Sequence, residues 1–170
     1  GILRTGFMAM DPHNGHVLAY VGGIDFSAFQ YDMVSQGRRQ VGSTIKPFLY
    51  SLSMIDGYSP CDIIPHSPPH IRQADGTIWA PRTGNRPRGS ASIQWGLQHS
   101  DNWITAQLMS RTSTTAFLRL LRSYGMAGKI TEAPAMCLGT PDASVSEMVS
   151  AYSTFVNKGI RVSPIFVTHI

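Results

Sequence analysis

Cysteine, charge and long apolar runs are all scarce in this sequence of 170 residues. Its two cysteines, Cys61 and Cys137, form no Cys-x-x-Cys pair and stand beside no histidine cluster, which excludes a zinc site and a disulfide-rich scaffold. We expect two ordinary thiols, with a disulfide between them as the alternative. Charged residues make up 14% of the chain, against roughly 25% in average globular proteins, so few ion pairs are expected. No stretch approaches the roughly 18 consecutive apolar residues of a membrane-spanning helix, so we expect any anchor or export signal outside this chain.

Lysine is also rare, with 3 lysines against 11 arginines and a formal net charge of +4. The arginines are scattered along the chain, and only Arg38 and Arg39 are adjacent. A nucleic-acid-binding protein usually concentrates basic residues in a patch or stripe. Nucleic acid is therefore not an expected partner.

Local patterns predict the first elements. Residues 4–22 contain two apolar runs around Asn14-Gly15, the strongest short-range signal for a β-hairpin. A helix is predicted over residues 43–57, because apolar residues recur at helical spacing from Ile45 and Gly57 ends the pattern. Pro47 fits near the helix start, where backbone N–H groups have no acceptor within the helix.

The rest of the chain divides into a proline-rich segment and a helical one. Residues 58–91, which we call the proline-rich excursion, hold six of the eleven prolines, at positions 60, 65, 68, 69, 81 and 87. It is predicted to be irregular, with short strands near Ile71 and Trp79, and loops of such length are usually functional. Residues 92–159 are predicted to be a helical subdomain, whose last helix begins with the capping box Ser144-x-x-Glu147. A final strand is expected from Val162.

Ser43 and Lys46 form the first candidate for chemistry. Residues three apart lie on one face of a helix, so the hydroxyl and the ammonium group become neighbours. A serine hydroxyl becomes a good nucleophile when a base takes its proton, and lysine can be that base if burial lowers its pKa. At the helix start, the Ser43 backbone N–H can also help to bind an oxyanion. By itself the pattern is weak, since a capping serine and a solvated lysine would produce it equally well.

Ser100 and Asn102 form the second candidate, at a break between two predicted helices. The hydroxyl could pass a proton between the lysine and a leaving group, and the amide could orient a peptide substrate. A turn built from capping-type residues is the alternative.

The order and flanks of these motifs resemble one family. The segment Gln36–Phe48, Gln-Gly-Arg-Arg-Gln-Val-Gly-Ser-Thr-Ile-Lys-Pro-Phe, strongly resembles the nucleophile segment of class A high-molecular-mass penicillin-binding proteins, the serine D,D-transpeptidases of bacterial cell-wall synthesis. Ser100-Asp101-Asn102, 57 residues after Ser43, resembles the second motif of that family. Residues 9–23 are similar to its opening hairpin, and residues 138–162 to the helix and strand that lead toward its third motif.

The resemblance implies a role for each matching residue. Ser43 would attack the carbonyl of a terminal D-Ala-D-Ala bond, with Lys46 as base and Ser100 as proton shuttle, while Asn102 would bind the substrate's amide. The partners implied are peptidoglycan stem peptides and β-lactam antibiotics, which would acylate Ser43. No cofactor is expected. The implied location is the extracytoplasmic face of the bacterial cytoplasmic membrane, in the periplasm, with the anchor outside this chain.

The family's third motif, Lys-Thr-Gly or Lys-Ser-Gly, does not occur in this sequence. It would supply a cation for the substrate carboxylate and an oxyanion donor, so we expect the 170 residues alone to be feeble or inactive. Arg82-Thr83-Gly84 resembles Lys-Thr-Gly in sequence, but it precedes the second motif and lies in the proline-rich excursion. The chain also begins at Gly1 and ends soon after an apolar run at residues 165–167, so we expect a transpeptidase domain truncated at its C-terminal side.

The implied fold is α+β, of the serine β-lactamase and D,D-transpeptidase type, with an antiparallel sheet beside a mostly helical subdomain. Because the later sheet strands would follow Ile170, we expect an incomplete sheet with an exposed edge or apolar patch. Self-association through that edge is a further expectation.

Two other functions compete with the transpeptidase. A serine β-lactamase or D,D-carboxypeptidase shares the fold, but a β-lactamase of this type needs a carboxylate to activate water. The only glutamates are Glu132 and Glu147, and the latter is better explained by the capping box. The second alternative is a non-catalytic scaffold or binding module. His66 and His70 are not expected to bind a metal, because the surrounding prolines prevent the helix that would align them.

Overall fold

The structure is a computed structural model that describes residues 3–73, 75–86 and 88–170. Ala74 and Pro87, both in the proline-rich excursion, lie outside the described residues. The chain divides into a first unit of residues 1–40, 121–129 and 142–170 and a second unit of residues 41–120 and 130–141. The chain combines helices with short antiparallel strand pairs, and within the described ranges each sheet has two strands. The class is α+β with small, incomplete sheets, as predicted.

The first unit opens with a hairpin. Strands β1 (Phe7–Met10) and β2 (Val17–Val21) pair antiparallel. The connecting turn depends on Asp11, whose carboxylate accepts the His13 N–H at 2.8 Å and an amide hydrogen of Asn14 at 3.0 Å. Gly15 completes the turn with φ of +81°, a conformation that glycine adopts without strain.

A second strand pair and the last helix complete this unit. Strand β3 (Arg38–Gln40) pairs antiparallel with β8 (Asp142–Ser144), which leads directly into helix α5 (Val145–Val156). The capping box is present, because Ser144 Oγ accepts the Glu147 N–H and the Glu147 carboxylate accepts the Ser144 N–H. Helix α5 then packs on β1.

The second unit is mostly helical. Its helices are α1 (Lys46–Ile55), α2 (Ile93–Gln98) and α3 (Asn102–Met109), which contact one another, and α4 (Thr114–Ser123) begins in it. A 3-10 helix at Pro134–Leu138 packs against α1 and α3. The core of this unit is formed by buried apolar side chains, which include Ile45, Phe48, Leu49, Ile64, Ile93, Ile104, Leu108 and Met136.

The proline-rich excursion contains two short strand pairs. Strand β4 (Ile63–Pro65) pairs with β7 (Ser90–Ser92), so the two ends of the excursion are joined. Strands β5 (Ile71–Arg72) and β6 (Ile78–Trp79) pair with each other, at the positions where short strands were predicted. Strand β4 also contacts α3.

The helix predicted over residues 43–57 starts differently. Residues Gly42–Ile45 form a 3-10 turn, and the α-helix begins at Lys46. Pro47 explains the change, because it has no N–H to donate to the Ser43 carbonyl. That carbonyl instead accepts the N–H of Lys46, three residues on, which is a 3-10 hydrogen bond.

The strand predicted from Val162 is wrong. The chain there makes one isolated parallel bridge, between His16 and Ile165. Pro164 has no N–H to donate to a ladder. The carbonyl of Val162 accepts the Ser150 hydroxyl at 2.7 Å, so it is taken by a side chain. A regular strand would need a partner for these backbone groups on successive residues.

Candidate active site

The turn that carries Ser43 is held by a second stretch of backbone. Gly42, with φ of +56°, donates its N–H to the Gly139 carbonyl at 3.1 Å, and Val41 donates to the Pro141 carbonyl at 3.0 Å. Gly139 has φ of +90°, and a Cβ at this position would lie 2.0 Å from the Gly42 oxygen. Glycine is therefore required at this close approach. Ser43 itself is exposed, with its side chain accessible to a substrate.

Lys46, at the first residue of α1, is only 1% exposed. Its Nζ lies 2.6 Å from the Ser100 carbonyl oxygen, 3.1 Å from Ser100 Oγ and 2.7 Å from Asn102 Oδ1. An ammonium group has three hydrogens, so these bonds occupy all of them. The structure thus brings together three of the four predicted site residues, and Ser43 lies one turn before Lys46 on the same backbone.

Burial lowers the pKa of Lys46, and this effect is opposed by the nearby groups of Asp101 and Cys137. A neutral amine has two hydrogens and one lone pair. It could donate to the Ser100 carbonyl and to Asn102 Oδ1 while it accepts a proton from a hydroxyl. The site can therefore hold Lys46 in the form that acts as a base.

Ser100 occupies a strained position between α2 and α3. Its φ is +48°, in the left-handed region that residues other than glycine rarely adopt. Such strain persists when the surrounding structure determines it, and it is typical of functional sites. Here it places both the carbonyl and the hydroxyl of Ser100 within reach of Lys46 Nζ.

Asn102 begins helix α3, and both ends of its amide are engaged. Oδ1 accepts from Lys46 Nζ, and Nδ2 donates to the Arg82 carbonyl at 2.9 Å. The second bond comes from the proline-rich excursion. It determines which end of the amide faces the lysine.

Asp101 is the residue whose role sequence reasoning missed. It is fully buried, and its Oδ1 caps α3 by accepting the Ile104 N–H at 2.8 Å. Its Oδ2 accepts from three side chains of the excursion: Thr83 at 2.7 Å, Asn85 at 2.8 Å and His66 at 3.0 Å. Burial alone would raise the pKa of Asp101, but these hydrogen bonds outweigh it and lower the pKa to about 2.

Only part of this hydrogen-bond network could have been predicted from the sequence. An aspartate just before a helix is a typical N-cap, so the bond to Ile104 could have been predicted from the sequence. Nothing local relates His66 to Asp101, which is 35 residues away. The segment Arg82-Thr83-Gly84 lies beside the second motif. The Thr83 hydroxyl donates a hydrogen bond to Asp101, and the Arg82 carbonyl accepts one from the Asn102 side chain.

The structure also places the two cysteines and the two glutamates. Cys61 and Cys137 are both free thiols, the first exposed and the second buried. The Glu132 carboxylate accepts from the hydroxyls of Thr114 and Thr115. Both Glu147 oxygens bind the guanidinium of Arg38, at 2.7 and 2.9 Å, in addition to the capping bond.

The fold and this site define a class of protein. Residues 5–170 match the model of the penicillin binding protein transpeptidase domain, so the chain belongs to this family. Among the described residues, no helix is both long and apolar enough to cross a membrane.

Similar proteins are found in several bacteria. The chain is 33% identical to penicillin-binding protein 1A of Rickettsia conorii over 162 residues, which are 94% of this chain and 20% of that protein. It is 29% identical to penicillin-binding protein 2D of Bacillus subtilis over 171 residues, 99% of this chain and 25% of that one. The crystal structure of penicillin-binding protein 1A from Haemophilus influenzae superposes with a TM-score of 0.88 at 26% identity, covering 95% of this chain and 24% of that chain. The chain thus spans about a fifth to a quarter of the length of these relatives.

Proposed function

We propose that this chain is part of a peptidoglycan D,D-transpeptidase that crosslinks stem peptides through an acyl-serine intermediate. One observation carries the proposal: a buried lysine, one turn after an exposed serine, is hydrogen-bonded to both functional residues of the second motif. The membership of the chain in the transpeptidase family supports it. That membership and the site together support peptidoglycan stem peptides as the substrate.

In the proposed reaction, Ser43 Oγ attacks the carbonyl of a D-Ala-D-Ala peptide bond while Lys46 Nζ takes its proton. Ser100 passes a proton to the leaving nitrogen, and D-alanine departs to leave an acyl ester on Ser43. An amine of a neighbouring stem peptide then attacks the ester, forms the crosslink and regenerates the hydroxyl. A β-lactam would acylate Ser43 by the same first step and stay attached. Asn102 would bind the substrate's amide.

The proposed setting follows from the substrate. Stem peptides lie on the extracytoplasmic face of the bacterial cytoplasmic membrane, so we place the protein there, in the periplasm. Lys-Thr-Gly and Lys-Ser-Gly do not occur in these 170 residues. This motif would supply an oxyanion donor, whose loss lowers the rate by about 10²–10³-fold. Activity should therefore be measured on the full-length protein.

A β-lactamase is less well supported. Such an enzyme needs a free carboxylate to activate the water that hydrolyses the acyl ester. Glu147 is bound to Arg38 and to backbone N–H groups, and Glu132 is bound to two threonine hydroxyls. Both glutamates therefore have structural partners, which favours a long-lived acyl-enzyme.

Labelled penicillin tests the proposal on the full-length protein. We expect a persistent adduct whose mass maps to the peptide containing Ser43, and its loss in Ser43→Ala. Ser110→Ala is the matched control, because this exposed serine donates only to the Gln107 carbonyl in its own helix turn. Rapid release of hydrolysed penicillin would instead indicate a β-lactamase. Absence of labelling in a folded protein would indicate a non-catalytic scaffold.

A further inference from the structure

His66 is a fully buried ring that the proposed reaction does not use. It lies in the proline-rich excursion, just after strand β4, and its side chain is inaccessible to solvent. Its Nε2 is 3.0 Å from Asp101 Oδ2. Asp101 stands between Ser100 and Asn102, the two residues that bind Lys46.

The hydrogen bonds of His66 determine its tautomer. The backbone N–H of Arg88 donates to Nδ1 at 3.0 Å, so this nitrogen carries no hydrogen. The proton of the neutral ring is therefore on Nε2, which donates it to the Asp101 carboxylate. Both ring nitrogens are satisfied, and one ring connects two distant points of the excursion to the helix break.

The ring also contacts a side chain from each of α2 and α3. Trp95 of α2 meets it edge-on, with centroids 5.4 Å apart, and Trp103 of α3 lies at 5.1 Å. These tryptophans belong to the helices on either side of Ser100. His66 therefore packs against both helices that flank the strained Ser100 backbone.

We propose that His66 is a positioning residue for the acylation of Ser43, acting through Asp101 to hold Ser100 and Asn102 against Lys46. This inference rests on the proposed transpeptidase function. The hydrogen bond from Nε2–H to the Asp101 carboxylate is the contact through which His66 positions these residues. The bond from Arg88 to Nδ1 serves to orient the ring.

Two substitutions distinguish the contribution of His66 Nε2 from that of Nδ1. In His66→Gln the side-chain amide can reach the place of Nε2 and donate to Asp101. In His66→Asn the shorter amide reaches the place of Nδ1 and leaves Asp101 without this donor. His70→Gln and His70→Asn are the matched controls, because His70 lies in the same excursion and is exposed.

The measurement is the rate of penicillin acylation in the full-length protein, resolved into an initial binding constant and an acylation rate constant. We expect His66→Asn to lower the acylation rate constant by about 10²-fold, as an error of about 1 Å in positioning does, with little change in initial binding. His66→Gln should lose less than about threefold, since the hydrogen bond to Asp101 persists. Both His70 variants should match the wild type.

The outcomes distinguish this role from the proposed function. If the wild type is acylated and the Asn and Gln variants are equally fast, or equally slow, the role of Nε2 is wrong. If the wild type is not acylated at all, the proposed function fails, and the positioning role with it. Should the His66 variants not fold, Thr83→Val and Thr83→Ser make the same comparison, because this hydroxyl also donates to Asp101 Oδ2. Equal acylation rates in that pair would overturn the role of the network.

Discussion

Lys46 is central to the proposed chemistry, and its burial also costs folding stability. Placing its amine where it is 1% exposed disfavours the charged form, so burial lowers the pKa below the ordinary 10.5. The unfolded chain therefore binds more protons than the folded one between the lowered pKa and 10.5. The contribution of Lys46 to stability therefore rises with pH across that range, because the penalty for burying a charge disappears as the lysine loses its proton.

Lys46→Met should abolish acylation and flatten this pH dependence. We expect the acylation rate with labelled penicillin to fall by roughly 10³-fold or more, since the general base is lost. The free energy of unfolding of the variant should also lack the contribution that Lys46 adds in the wild type as the pH rises toward 10.5. Denaturant titrations at several pH values measure the second effect. Lys129→Met, at an exposed lysine, should change neither quantity, and acylation retained in Lys46→Met would remove Lys46 as the base.

At the scale of elements, the site is built where helix termini meet backbone from distant segments. The turn before α1 is held by residues 139–141, and the break between α2 and α3 is held by the proline-rich excursion. The turn before α1 leaves no room for a side chain at position 139, because a Cβ there would overlap the Gly42 oxygen.

Gly139→Ala should displace the turn that carries Ser43. The new Cβ would overlap the Gly42 oxygen, so the turn must move by an ångström or more, and we expect acylation to slow by about 10²-fold. Gly57→Ala is the matched control, with φ of +98° against +90° and no atom within 4 Å of the new Cβ. Both variants carry the strain of a left-handed alanine, and Gly139→Ala adds the displacement of the turn, so thermal melts should show the larger destabilisation in Gly139→Ala. Equal acylation rates in the two would show that the turn tolerates the displacement.

At the scale of the whole molecule, the first unit exposes much apolar surface. Phe7, Leu18 and Val21 of the hairpin are 58%, 71% and 51% exposed, and Phe166 is 61% exposed. The hairpin is a two-stranded sheet, and apart from the bridge of Ile165 beside His16 its outer edges have no further strand partner in the described part of the chain. Apolar side chains beside open strand edges favour association with another chain.

We therefore expect this 170-residue chain to self-associate through the hairpin. Sedimentation velocity should detect dimers or larger species, and Leu18→Glu should shift the distribution toward monomer. Ile55→Glu is the control, since Ile55 is also 71% exposed but lies at the end of α1. A wild-type chain that stays monomeric at high concentration would contradict the prediction, as would equal effects of the two substitutions.

Much of the local structure could be predicted from short patterns. The Asn14-Gly15 turn, the proline near the start of α1 and the capping box of α5 each depend on residues within a few positions of one another. Such contacts join residues close in the chain, so short patterns predict them, although packing in the folded protein stabilises them. The strand expected from Val162 failed for the opposite reason, because a strand needs a partner and the local sequence does not supply one.

The sequence by itself indicated the class of chemistry, through the resemblance of the Ser43-Lys46 and Ser100-Asn102 motifs, with their spacing, order and flanks, to one family. Helix geometry makes that spacing meaningful, since residues three apart share a face. Only the tertiary structure decided that Lys46 is buried against Ser100 and Asn102, 54 and 56 residues away. It also decided that Asp101 is bound by His66, Thr83 and Asn85. These contacts come from the packing of α1, α3 and the excursion around one core, where the burial of apolar surface determines which distant polar groups meet.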